Sequence, residues 1–129
     1  MGNIQIISNN PQTQAQYPAH IRIVEGGVYE VYRTARSAIH QGAILINHPL
    51  AGSVKPNQNP YRSLVLSIPA DRATVDFDSL SHIEGALQTL ARLPKLNRQY
   101  DQSTLEDFQL IDHSLLEAAI NALPPQYHT

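Results

Sequence analysis

The sequence contains no cysteine. That absence excludes disulfides, thiolate catalysis and cysteine-based zinc or iron–sulfur sites together. It fits a reducing compartment without requiring one. Long apolar runs are missing as well: the longest are four residues, far short of the ~20 needed to span a bilayer. No charged start followed by an apolar core reads as a signal peptide. Met1-Gly2 opens like a myristoylation site, but the sixth position is Ile6 rather than Ser or Thr. There is no excess of positive charge either. Nine Lys plus Arg stand against eleven Asp plus Glu, a net charge of −2, and the cations are scattered. Neither nucleic acid nor a membrane is an expected partner, and the expected location is cytoplasmic. Internal repeats and low-complexity tracts are absent.

What is present fits one domain spanning residues 1–129, long enough to bury roughly two-thirds of its unfolded surface without a staple. Ile4-Gln5-Ile6-Ile7 is a strand by composition and ends at Asn9-Asn10-Pro11. Asn10 is placed to cap a short helical turn with Pro11 at its first position, and Pro18 stops it. His20 to Val24 is the next strand, with Ile21 and Ile23 on one face. From Val28 to Gln41, Val28, Val31, Tyr32, Ala35 and Ile39 follow helical spacing, and Gly42 is a left-handed stop. Ile44-Leu45-Ile46 reads as a buried core strand, and Leu64 to Ile68 as a fourth. Asp76 to Ser79 supplies capping side chains for a helix that ends near Pro94. Lys95 to Gln102 is a polar connector. Ser103 and Glu106 form a capping box for a last helix that Pro124-Pro125 terminates, leaving Gln126 to Thr129 as a frayed tail. Strand, helix, strand with short joints predicts a three-layer α/β domain of about four mostly parallel strands with flanking helices, a Rossmann-like half.

Between the third and fourth strands lies the stretch Ile44 to Ser63, ILINHPLAGSVKPNQNPYRS, crowded with turn residues. A loop of that length in a compact domain more often carries function than not. Gly52-Ser53, Lys55 and Arg62-Ser63 are the parts of an anion pocket, with backbone N–H groups forming a nest and two cations balancing a phosphate or carboxylate. The spacing of a P-loop is missing, and solvated cations on a proline-stiffened loop are the competing reading. Asn9 and Asn10 share the expected rim, as binding residues or as turn starters. His48 stands just past a strand end, as an acid–base group or as a loop histidine bonded to backbone. Tyr61 either stacks over a ligand or plugs the core edge. His20, His40, His82, His113 and His128 show no metal-ligand spacing, so no metal and no cofactor are expected.

The last helix carries an anomaly. Phe108, Leu115, Leu116, Ala119 and Leu123 cluster on one face, and Asp112 falls in the middle of them. A carboxylate there is costly unless it meets a cation or several donors. Asp112 either pairs with Arg62 or Lys55, or caps backbone donors of the loop; both readings put it against the loop. Leu110, off the main stripe, is a candidate homodimer contact or an ordinary surface leucine.

HPLAGSVKPNQNPYRS (His48 to Ser63), followed by DF-x-x-x-D-x-S-L (Asp107 to Leu115), resembles the GrdX family. These are small proteins encoded beside the selenium-dependent glycine, sarcosine and betaine reductases of anaerobic bacteria. The resemblance extends to the opening Ile-Ile-Ser-Asn-Asn-Pro and to Gly42. It implies a cytoplasmic accessory protein, with reductase subunits as candidate partners and no catalytic residues to carry over. The leading expectation is a non-catalytic protein that binds a small anion through Gly52 to Arg62. The alternatives are an enzyme using His48 with Asp112 in acid–base or transferase chemistry, and an assembly factor that uses the loop as a protein interface.

Overall fold

The computed structural model describes residues 3–52, 55–71, 74–96 and 99–127. Ser53 and His128 lie outside the described residues, as do parts of the expected connector and tail. Four strands form one sheet in the order β2-β1-β4-β3: β1 (Ile4–Ser8), β2 (Ile21–Ile23), β3 (Ile44–Leu45) and β4 (Ser63–Ser67). Four helices accompany them: α1 (Pro11–Gln16), α2 (Val28–His40), α3 (Phe77–Arg92) and α4 (Gln102–Asn121).

The sheet is mixed, which corrects the mostly parallel, Rossmann-like expectation. β1 and β2 are parallel, but β4 runs antiparallel to both its neighbours, β1 and β3. The reason lies in the long connection. A parallel return needs a crossover over one sheet face, usually a helix, and residues 46–62 hold none among the described residues. β3 and β4 are therefore the arms of a hairpin. A second correction follows: the run Ile44 to Ile46 is not a core strand but the sheet's edge, and Ile44 is exposed. Burial on both faces belongs to β1 and β4 instead. Ile7, Leu64 and Leu66 face the side occupied by α2 and α3, whereas Ile4, Ile6 and Val65 face Leu116 and Ile120 of α4.

The helices start and stop where their local chemistry dictates. Asn10 caps α1 by accepting from the Gln12 N–H, with Pro11 behind it. Gly42, at φ +102°, follows α2 in the left-handed conformation that only glycine adopts without strain. Asp76 caps α3 through the Ser79 N–H. The cap of α4 is Asp101, which accepts from Thr104, rather than Ser103. The buried face of α4 is also rotated from the expected stripe: Asp112, His113, Leu116 and Ile120 go inside. α1 packs beside α4 and takes up its polar corner, so apolar spacing alone misses the orientation. The tail is not wholly frayed, since Pro125–Tyr127 forms a 3-10 turn and Tyr127 packs on the α4 side of the sheet. No helix among the described residues is long and apolar enough to cross a membrane.

This topology gathers the residues of interest. The ends of β1 and β3 and the start of β4 share one rim, with Ser8 paired directly to Ser63.

Candidate functional site

At the rim, α4 brings its anomalous carboxylate to the start of β4. Asp112 is 3 % exposed. Its Oδ1 accepts the Ser63 backbone N–H at 2.9 Å, and its Oδ2 accepts the Ser63 hydroxyl at 2.6 Å and Asn10 Nδ2 at 2.9 Å. Asn10 Nδ2 also donates to the Gln109 carbonyl at 2.8 Å. Burial pushes the Asp112 carboxyl above the usual carboxylate range, while the hydrogen bonds from Ser63 and Asn10 and the nearby Arg62 charge pull it back. Asp112 thus meets the loop at its last residue through backbone and hydroxyl donors.

The network runs on from Ser63. Its single hydroxyl proton goes to Asp112, so Ser8 Oγ, 2.7 Å away, is the donor to Ser63 Oγ. Thr13 Oγ1 lies 3.2 Å from Ser63 Oγ and 3.0 Å from His113 Nδ1. His113 Nε2 reaches Glu117 at 2.7 Å. Asp112, Ser63, Thr13, His113 and Glu117 form one chain from α4 through the sheet and α1 back to α4, with Ser8 branching from Ser63. Asp112, Ser63, Ser8, Thr13 and His113 are all buried. The sequence marks neither Ser8 nor Thr13, and His113 stands out there only as one of the histidines without metal-ligand spacing. The i, i+4 pair His113–Glu117 was a readable signal, but the two hydroxyls carry none.

The loop is fastened from several sides. Asn9 accepts the Arg62 N–H on Oδ1 and donates from Nδ2 to the carbonyls of Pro60 and Gly26. Buried Arg62 donates from Nε to the Tyr32 hydroxyl at 3.2 Å, and Tyr32 in turn donates to the Pro49 carbonyl at 2.7 Å. Asn59 Nδ2 holds the Phe108 carbonyl, and Tyr61 accepts from Gln109 on its hydroxyl. Asn57 Nδ2 and Gln58 O are bonded to Pro94 O and the Tyr100 hydroxyl. Asn47, another residue the sequence reading passed over, extends β3 with its side chain: it donates to Ser63 O and accepts from Val65 N. Gly52 has φ +88°, and a Cβ there would stand 2.8 Å from Leu115 Cδ1 of α4.

His48 and Lys55 stand apart from this network. Both are exposed. His48 Nδ1 accepts the Leu50 N–H at 3.0 Å, and its ring tilts against His82 at 4.8 Å. Partial burial, then the neighbouring His82 charge, lower its pKa. No hydrogen bond joins His48 to Asp112. Among the described residues, no group of three or more His, Cys, Asp or Glu is arranged to hold a metal ion.

On its other flank the loop helps form a groove of about 790 Å³. Its walls are the start of α2 (Val28, Tyr29), the end of α3 (Leu87, Leu90), and Pro56 and Pro60 of the loop, with Glu30, Arg36 and Lys95 contributing charge of both signs. Arg36 is engaged by Glu84 at 3.4 Å; Lys95 is exposed.

Fold and rim define a mixed α/β protein whose long hairpin loop is locked to its last helix by a buried carboxylate. Over residues 5–121 the sequence matches the GrdX-like protein family, and the chain belongs to that family. No curated protein and no solved structure matches it.

Proposed function

We propose that this is a non-catalytic accessory protein of glycine, sarcosine and betaine reductase systems, and that it binds a small molecule with a carboxylate or phosphate end. Family membership supports the association with such systems. The groove beside the loop is the observation that carries the binding reading. It is of ligand size, its apolar walls suit a ligand body, and Lys95 stands where an anionic end would need a counter-charge. Asn9, Asn10, Arg62, Ser63 and Asp112 serve this reading as the frame that holds the loop in place, with Gly52 and Tyr61 against α4. The acid–base alternative has less support, because His48 directs a ring nitrogen to its own loop and makes no bond to Asp112.

The test is a thermal-shift panel of phosphate, sulfate, acetyl phosphate, glycine and betaine on the wild type and Lys95→Ala. A ligand that binds only the folded state raises the melting temperature by mass action. A shift in the wild type that shrinks in Lys95→Ala supports the groove. A flat panel overturns the small-ligand reading in favour of the loop as a protein interface for reductase subunits.

A further inference from the structure

The two edges of the sheet differ in how they end. On β3, Ile46 N donates to Val65 O, so the Leu45 N–H points outward, and it is capped by Ser79 Oγ at 2.8 Å. That edge is covered by the start of α3. On β2, Ile6 N donates to His20 O and Val24 N donates to Ser8 O. Backbone groups alternate in direction along a strand, so Ile21 and Ile23 turn their N–H and C=O groups away from β1. None of those four groups has a partner among the described residues. Beside this open edge lies a groove of about 380 Å³, with Arg22 and Glu25 on one wall and Glu30, Arg33 and Thr34 of α2 on the other.

Two arginines and two glutamates line this groove, but no ion pair joins them among the described residues. Arg22 and Arg33 are exposed, and neither guanidinium has a carboxylate within 4.0 Å among the described residues. Glu30 is turned back to accept the Gly27 N–H at the start of α2. Glu25 lies past the end of β2. On the opposite sheet face Ile23 is 61 % exposed.

We infer that the open edge of β2 and the flank of α2 form a docking groove for an extended peptide segment of a partner protein, added as a fifth strand and carrying an acidic side chain opposite Arg22. Strand addition supplies main-chain hydrogen bonds to Ile21 and Ile23, and alternate side chains supply selectivity. A side chain directly opposite Arg22 projects on the α2 face, between Arg22 and Arg33, and an acidic one meets both. Its two neighbours project on the other face, where an apolar residue covers Ile23. The expected motif is apolar, acidic, apolar. A second copy of this chain is a poor occupant. Antiparallel pairing of β2 with itself about Arg22 would oppose like charges, which destabilises a sheet. This groove meets the one beside the loop at Glu30, and their other lining residues differ.

The probe is the peptide acetyl-Lys-Thr-Ile-Glu-Ile-Thr-Lys-amide, titrated into isotopically labelled full-length protein and followed by NMR. Shifts confined to β2 and the flank of α2, slowed exchange of the Ile21 and Ile23 amides, and an affinity about 10-fold lower for the same peptide with lysine in place of glutamate are the expected results. Arg22→Glu and Arg33→Glu, both at exposed positions, should reverse that preference. Equal binding of the two peptides, or no protection at Ile21 and Ile23, would overturn the proposal. So would acetate producing the same shifts, which would make this a simple anion site, or a dimer that Arg22→Glu dissociates. Lys95→Ala should leave peptide binding unchanged, so the two sites fail independently.

Discussion

Asp112 and the Arg22–Arg33 pair show two ways of keeping charge on a small protein. Asp112 is nearly sealed from water and is held by three donors drawn from the loop end and from Asn10. The two arginines are exposed, Arg33 over the Tyr29 ring at 5.7 Å, and neither has a carboxylate within 4.0 Å among the described residues. A buried charge is costly to create and more costly to orphan, so it serves where one arrangement must be fixed. An exposed charge is cheap to change and is left free to meet something else. The first region is framework; the second is available surface.

The hardest blow to that contrast is Asp112→Ala. It leaves the Ser63 N–H, the Ser63 hydroxyl and Asn10 Nδ2 buried without their acceptor. A loss of roughly 3–5 kcal/mol is expected, measured by urea denaturation, a large share of an ordinary domain's stability. Asp112→Asn keeps the shape but turns an NH₂ toward Asn10 Nδ2, and about 1–3 kcal/mol is expected. This variant also tests the sign of the pH dependence. Burial raises the Asp112 pKa above its unfolded value of about 3.9, so the folded state binds the proton more tightly. That contribution is fully present below the unfolded value and declines as pH rises through the folded one. The stability of wild type relative to Asp112→Asn should therefore fall as pH rises from about 4, measured as denaturation midpoints across pH. A gap that widened instead would show the carboxylate to be favoured by its donors.

Smaller effects mark the ground between the two regions. Gly52→Ala forces a side chain into a left-handed backbone and toward Leu115, for about 1–2 kcal/mol. Ser79→Ala uncaps the β3 edge and should cost about 1 kcal/mol, with faster amide exchange at Leu45. Arg22→Glu and Lys95→Ala should each lie within about 0.5 kcal/mol of wild type. A large loss at either would erase the distinction between framework and surface.

Much of this was readable from residue order, and the failures have physical causes. Asn10-Pro11, Gly42 and Asp76 act locally, so their caps and stops were legible. Asp112 stood out because a carboxylate on an apolar stripe demands partners, and it finds them at Ser63. Strand direction was not legible, because apolar runs such as Ile4 to Ile7 and Leu64 to Leu66 look the same in either sense. The helix-free stretch between β3 and β4 was the clue to a hairpin. The orientation of α4 was missed because α1 offers it a polar corner, where Thr13 receives His113. Single hydroxyls such as Ser8 and Thr13 leave no trace in periodicity.

The ties between residues 46–63 and α4 also bear on the order of assembly. Asn59 is anchored to Phe108, Tyr61 to Gln109 and Ser63 to Asp112, all on the last helix of the chain. A long closed loop loses chain entropy slowly with length, and anchoring it at several points divides it into shorter spans. Those anchors do not exist until the C-terminal segment has been made. During vectorial synthesis β3 and β4 can meet early, but the loop between them acquires its final shape only when α4 docks.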